Sequence, residues 1–221
     1  MTDAIINVNG DSVQALDIIL LTTVLTLLPS LVVMMTSFTR YIIALSFLRT
    51  AMGTQQTPPN MVLVGMAMIL TLFTMTPTVN SVKEAAYDPY IAGEITQEEF
   101  FDLAQDPLKD FMLRNAEPSS LRLYCEMSDV ETPETMEEAR ELSMLVIMPA
   151  FVTSELKTAF EIGFLLYIPF MLIDVIVSST LMSMGMIMLP PAMISTPFKI
   201  LLFILLDGWQ LLFSTLVGGV H

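Results

Sequence analysis

Eight ionisable side chains stand in otherwise apolar sequence: Arg40, Arg49, Glu155, Lys157, Glu161, Asp174, Lys199 and Asp207. Four are cations and four are anions, so the set sums to zero. A lone charge at the centre of a bilayer costs at least about 2.5–3.5 kcal/mol, so such groups pair, face water or snorkel to an interface. Lys157 and Glu161 are four apart, on one face of a helix. Three chemistries fit: pairing between helices or between copies, a proton or ion path, and interfacial snorkelling. Arg40, Glu155, Lys157, Glu161, Asp174 and Asp207 are the candidates for inter-helix or inter-copy pairing. Two carboxylates sharing a proton could also run hydrolysis. However, Asp174 lies in Leu-Ile-Asp-Val and Asp207 in Leu-Leu-Asp-Gly-Trp, and neither resembles an intramembrane protease motif. No Gly-x-Ser-x-Gly elbow, Walker lysine loop or Gly-x-Gly-x-x-Gly occurs. One cysteine (Cys125) and one histidine (His221) cannot build a multi-cysteine zinc site or a His-based centre. The expectation is a protein that is not an enzyme and carries no cofactor and no metal.

The other unusual pattern is Met182-Ser183-Met184-Gly185-Met186-Ile187-Met188-Leu189-Pro190-Pro191, with a methionine at every second position. On a helix that spacing throws the side chains to alternating sides, whereas in an extended loop it aligns them. Gly185 and the Pro-Pro pair weaken the helical option. Methionine is long, unbranched and polarizable, so a ring of such loops from several copies would make a deformable apolar seal that stops ions by dewetting. With 19 methionines in the chain, plain packing is the other reading. Gly53-Thr54-Gln55-Gln56-Thr57-Pro58-Pro59-Asn60 reads as a tight, hydrogen-bonded turn, with ligand binding as the alternative.

The elements that must position these groups are apolar. Of 221 residues, 54% are hydrophobic and 14% charged, with a mean hydropathy of +0.68. A soluble domain carries about 25% charged residues, so an ordinary cytosolic enzyme is excluded. The net charge of -14 would repel a phosphate backbone, so no nucleic acid is expected as a partner. Residues 81–141 hold 16 acidic and 5 basic groups, against 7 and 4 in the rest of the chain. The expected organisation is an apolar hairpin over 1–79, an acidic, water-facing helical insert over 80–142, and apolar helices with the methionine loop over 143–221.

Residues 18–39, 61–82, 162–189 and 200–220 each reach the roughly 20 residues that cross a bilayer core of about 30 Å. The fold class expected is therefore an all-α integral membrane protein of about four long, proline-kinked apolar helices or helical hairpins with an acidic helical insert. No Lys or Arg precedes Arg40, so 18–39 is expected to be a retained element and not a signal. Arg40, Arg49 and Lys199 border the two short connections and place them in the cytoplasm, with the insert and both termini outward. Pro29, Pro77, Pro149 and Pro169 are expected to kink or end their helices. Residues 18–28 alone would cover half a bilayer. Broken helices survive at membrane depth only inside protein or beside a wet cavity, so the chain reads as one that packs within an assembly. In the insert, Thr96 with Glu99 and Thr135 with Glu138 are capped helix starts. The first stripe is interrupted at Pro107, and the second helix runs into 142–148 without a clear break.

The motifs Phe38-Thr39-Arg40, Leu45-Ser46-Phe47-Leu48-Arg49, Gly53–Asn60, Met148-Pro149-Ala150-Phe151 and Ser154-Glu155-Leu156-Lys157-Thr158-Ala159-Phe160 occur in that order. The methionine loop, Pro197-Phe198-Lys199 and Asp207-Gly208-Trp209-Gln210-Leu211 follow. This set resembles the FliP family of flagellar biosynthetic proteins, over about half of the chain. Virulence-type homologues share much of the pattern, but Glu155-Leu156-Lys157-Thr158 and Asp207-Gly208-Trp209-Gln210 look more like the flagellar branch.

The resemblance implies a pore-forming subunit of the type III protein-export gate in the bacterial inner membrane, at the flagellar basal body. It implies assembly of several copies with FliQ and FliR, neighbours in FlhB and FlhA, contact with membrane lipid, and passage of unfolded flagellar proteins. It further implies kinked hairpins that rise out of the membrane plane, and a pore gasket at Met184, Met186 and Met188. The rival readings are a virulence-type gate subunit, a small-molecule or ion transporter, and a membrane enzyme using Asp174 and Asp207.

Overall fold

The computed structural model describes residues 5–8, 11–186 and 188–220; Ile187, inside the methionine run, and His221 lie outside the described residues. The chain builds the expected all-α membrane architecture, preceded by one short antiparallel strand pair. In it β1 (Ile5–Val8) lies against β2 (Asp11–Gln14), with Ile5 opposite Gln14 and Val8 opposite Asp11.

Helix α1 (Ala15–Met34) runs straight on through Pro29, so it is not the half-length element that the proline suggested. A proline removes a single donor from the ladder, and a long apolar helix has every other bond to keep it going. Helix α2 (Phe38–Ala51) ends at Gly53, whose φ of +73° is the left-handed conformation glycine adopts without strain. Helix α3 (Asn60–Val82) passes through a π-helical turn, Lys83–Tyr87, into α4 (Asp88–Ile91).

The insert follows as α5 (Gln97–Asn115), α6 (Pro118–Met127) and α7 (Met136–Glu141). The α5 start is a full capping box: the Glu99 amide donates to Thr96 Oγ1, and the Thr96 amide donates back to the Glu99 carboxylate at 2.7 Å. Thr135 caps α7 through the Glu138 amide in the same way. Pro107 does not interrupt α5.

Helix α8 (Met144–Ser183) is 40 residues long and contains Pro149 and Pro169 without breaking. It begins at its own cap, Ser143, and is separate from α7, where the sequence suggested continuity. The chain closes with α9 (Pro191–Leu205) and α10 (Gly208–Gly218), bent by 65° at Leu206–Asp207.

Two packed cores organise these helices. In the first, Tyr41, Ala44, Leu45 and Leu48 of α2 meet Leu63 and Ala67 of α3, Phe170 of α8, Phe203 of α9 and Leu212 and Leu216 of α10. In the second, Phe111, Met112 and Cys125 of the insert close over Val146, Ile147 and Phe151 of α8, with Met75 of α3. Val220 packs against both.

The first turns of α8 are therefore core shared with the insert. Among the described residues, Asn60–Ile91 and Met144–Ser183 are long and apolar enough to cross a membrane, and the bent α9–α10 pair would be a third.

Candidate functional site

Arg40 and Glu155 form the best-buried ionic contact. Arg40 Nε donates to Glu155 Oε2 at 2.8 Å and Nη2 donates to Oε1, the two-pronged fit of a guanidinium on a carboxylate. The side chains are 3% and 1% exposed. The third prong, Nη1, donates to the carbonyl of Gly219 at the end of α10. There the unpaired carbonyls and the helix dipole favour a cation. One side chain thus joins α2, α8 and the end of α10.

A second contact lies near the methionine turn. Lys199 Nζ of α9 donates to Asp174 Oδ2 of α8 at 2.6 Å and to the Ala51 carbonyl at 3.0 Å, and Ser195 Oγ donates to Asp174 Oδ1 at 2.6 Å. The lysine is buried and the aspartate partly exposed. Sequence reasoning had not chosen Lys199 as a site residue, although Asp174 and Lys199 lie equally far from residues 186–187. An antiparallel pair turning there brings them level.

Lys157 and Glu161 share a helical face but are not bonded to each other. Lys157 Nζ instead donates to both carboxylate oxygens of Glu117 in the insert, at 2.5 and 2.7 Å. The ammonium holds the Glu117 carboxyl below the ordinary glutamate range. Glu117 is delivered by its own backbone, whose amide donates to Ser154 Oγ at 2.8 Å, and Tyr124 and Thr153 add a hydroxyl pair at 2.9 Å.

Glu161 and Asp207 have no salt bridge among the described residues. Asp207 is exposed, at φ +48° in the corner between α9 and α10. Gly208 beside it carries no Cβ because the Phe203 ring occupies that space. Arg49 Nη1 donates to the Asn60 side-chain oxygen, closing the 53–60 turn, in which Thr57–Pro58 is cis.

The methionine run is half helix end and half turn. Met182 belongs to α8 and Met184 is its C-cap. The Gly185 amide donates to the Met182 carbonyl at 3.0 Å and the Met186 amide to the Leu181 carbonyl at 3.0 Å, with Gly185 at φ +74°. This is a Schellman ending, and Gly185 is what makes it inexpensive. It lifts Met184, Met186 and Met188 clear of the chain, at 63%, 41% and 97% exposed. Leu189, Met193 and Ile194 extend the same exposed apolar tip. Such a tip cannot be core of this chain. It can line a passage, seal against copies of itself or contact lipid. Among the described residues no group of His, Cys, Asp and Glu side chains could hold a metal ion.

Comparison with known proteins matches residues 21–216 to the FliP family. The chain is 45% identical over 208 residues to the flagellar biosynthetic protein FliP of Aquifex aeolicus (strain VF5), spanning 94% of this chain and 87% of that protein. It is 45% identical over 200 residues to the protein of the same name from Bacillus subtilis (strain 168), covering 90% and 89%. With that of Pectobacterium carotovorum subsp. carotovorum it is 49% identical over 210 residues, covering 95% and 79%.

Proposed function

The chain belongs to the FliP family, and on that premise we propose that it is a pore-forming core subunit of the flagellar type III protein-export gate. It is a membrane component with a structural role and not an enzyme. Several copies assemble with FliQ and FliR in the bacterial inner membrane at the basal body, next to FlhB and FlhA, and unfolded flagellar proteins pass through. The relatives' shared name supports the flagellar branch over a virulence-type gate.

The observation that carries the pore reading is the methionine tip. It is apolar, exposed and held on a rigid Schellman turn at the end of a long helix. Brought together from several copies, Met184, Met186 and Met188 form a dry constriction that ions do not wet and that a passing chain displaces. The contacts Arg40–Glu155, Lys157–Glu117 and Asp174–Lys199 keep each copy rigid enough to present its tip. Glu161 and Asp207, free of such contacts here, are the charges left for pairing between copies.

The test is the triple variant Met184→Ala/Met186→Ala/Met188→Ala, produced with its partners in native membranes. Assembly mass should be unchanged while resting ion leak rises. Membranes that stay as tight as those holding the unaltered protein, with export intact, would sink the gasket role.

A further inference from the structure

The described side chains of helix α1 present an apolar surface that is largely uncovered. Residues 18–34 carry no charge, and Ile19, Leu27, Leu31, Val32, Val33 and Met34 are all exposed. The hydroxyls of Thr23 and Thr26 are bonded back to the helix's own carbonyls at 2.7 and 2.8 Å, so they do not make its surface polar. Leu27, Leu31 and Met34 fall on one face at helical spacing. A helix that is apolar all round is a buried helix.

The elbow at the end of α1 is fixed. Met35 packs into the insert-side core, Ser37 shares a hydroxyl hydrogen bond with Thr74 at 2.9 Å, and Thr39 Oγ1 donates to the Val33 carbonyl at 3.0 Å. Those contacts set the direction of α1 relative to α2.

The same chain has a groove of matching chemistry. Two adjoining hollows of about 440 and 240 Å³ run between α2 and α8 and share Phe47 and Tyr167 in their walls. Ile42 and Ile43 line one end and Phe164 and Met171 the other. Its floor exists because Gly163 lets the Phe47 ring lie against α8, edge-on to Phe160 at 5.2 Å. No charged residue lines it.

We propose that α1 of one copy packs into the α2–α8 groove of a neighbouring copy. The inference rests on the multi-copy reading of the proposed function and adds its geometry. Arm and groove are different surfaces, so the contact is head-to-tail and builds a ring or a helical array, not a closed pair. A 20-residue helix about 30 Å long presents on the order of 300 Å² in projection. The hollows run along about 15 Å of α8, so they seat about half of that length, and a contact continued along the same ridges approaches the ~800 Å² per partner of a stable interface. Neither residues 18–34 nor the lining of the groove carries a charge to desolvate, and the hollows take side chains of the size of Leu27, Leu31 and Met34.

The experiment is disulfide trapping in native membranes with the partner subunits present. One copy carries Leu31→Cys and a first tag; another, co-produced, carries Phe164→Cys and a second tag. Cys125 is fully buried and stays as it is. The expected result is an oxidation-dependent species joining both tags, absent when either cysteine is omitted, with the mass of the assembly unchanged. If Phe164→Cys disturbs assembly, a benzophenone side chain at that position should label α1 of the other tagged copy.

A multi-copy assembly in which neither probe links the tags overturns this interface and leaves the proposed function standing. So does exclusive labelling of lipid or of another subunit. A monomer overturns both.

Discussion

Removing Arg40 should be among the most costly single changes in the protein. Arg40→Leu strands the Glu155 carboxylate, which is 1% exposed, without its counter-charge, and it deprives the Gly219 carbonyl of its donor. Breaking a buried pair from one side costs about 3–5 kcal/mol, because the orphaned charge stays desolvated. Glu155→Leu strands the guanidinium at a similar cost, about 3–5 kcal/mol. The double variant Arg40→Leu/Glu155→Leu removes both charges. It should return most of the stability, short by the about 1–3 kcal/mol of one unsatisfied buried carbonyl. The singles are therefore far from additive, with a coupling of at least about 3 kcal/mol.

Trp209 is the sole tryptophan. It is packed at 5.2 Å against Phe203 and 5.6 Å against Phe213, so its emission follows loss of the first core. At about 2–4 °C per kcal/mol for a chain of this size, each single variant melts roughly 6–20 °C lower in detergent. Salt should change little, since buried pairs are weakly screened. A single variant that melts within about 2 °C of the original, or a double variant equal to the sum of the singles, would refute the buried clamp.

Three further outcomes follow from local geometry. Gly163→Ala places a methyl 2.5 Å from the Phe47 ring and should cost about 1–3 kcal/mol as overpacking; the same melt measures it, and Phe47→Ala in the same chain should relieve it. Thr96→Ala removes the α5 cap for about 1 kcal/mol, seen as roughly fivefold faster amide exchange across the first turn of α5. Because the folded-state pKa of Glu117 is depressed by Lys157, its contribution is fully present above the ordinary glutamate value of about 4.3 and is lost as pH falls through the lower folded value. Protease protection of the 128–135 connection should therefore hold down to that value, and Lys157→Gln should move its loss to higher pH.

Local features could be read from the chain and distant ones could not. Thr96 and Glu99 are three residues apart, so their capping box is written in the sequence. The Schellman turn was half legible, since Gly185 weakened the helix but did not say which methionines would be lifted. Arg40 and Glu155 are 115 positions apart, and a list of charges in apolar sequence does not say which pair. Lys157 illustrates the limit. The opposite charge on its own helical face is Glu161, yet Glu117 takes it because the Ser154 hydroxyl fixes the Glu117 backbone. Where a proline was read as a helix end, it misled in the other direction, since Pro29, Pro107, Pro149 and Pro169 lie inside continuous helices. Each deletes one hydrogen bond, whereas α8 is held by the insert's core over its first turns and by the α2–α3 core over its middle.

The continuity of α8 makes the protein a lever. Forty residues of helix span about 60 Å, twice the hydrocarbon thickness of about 30 Å. The insert grips one end and the methionine tip rides on the other. A rigid rod of that length tilted by about 10° about its middle moves each end by about 5 Å, in opposite directions. A push on the insert end of the rod is thus felt at the methionine tip. Pro149 and Pro169 thin the hydrogen-bond ladder along it, and bending there would absorb part of the motion.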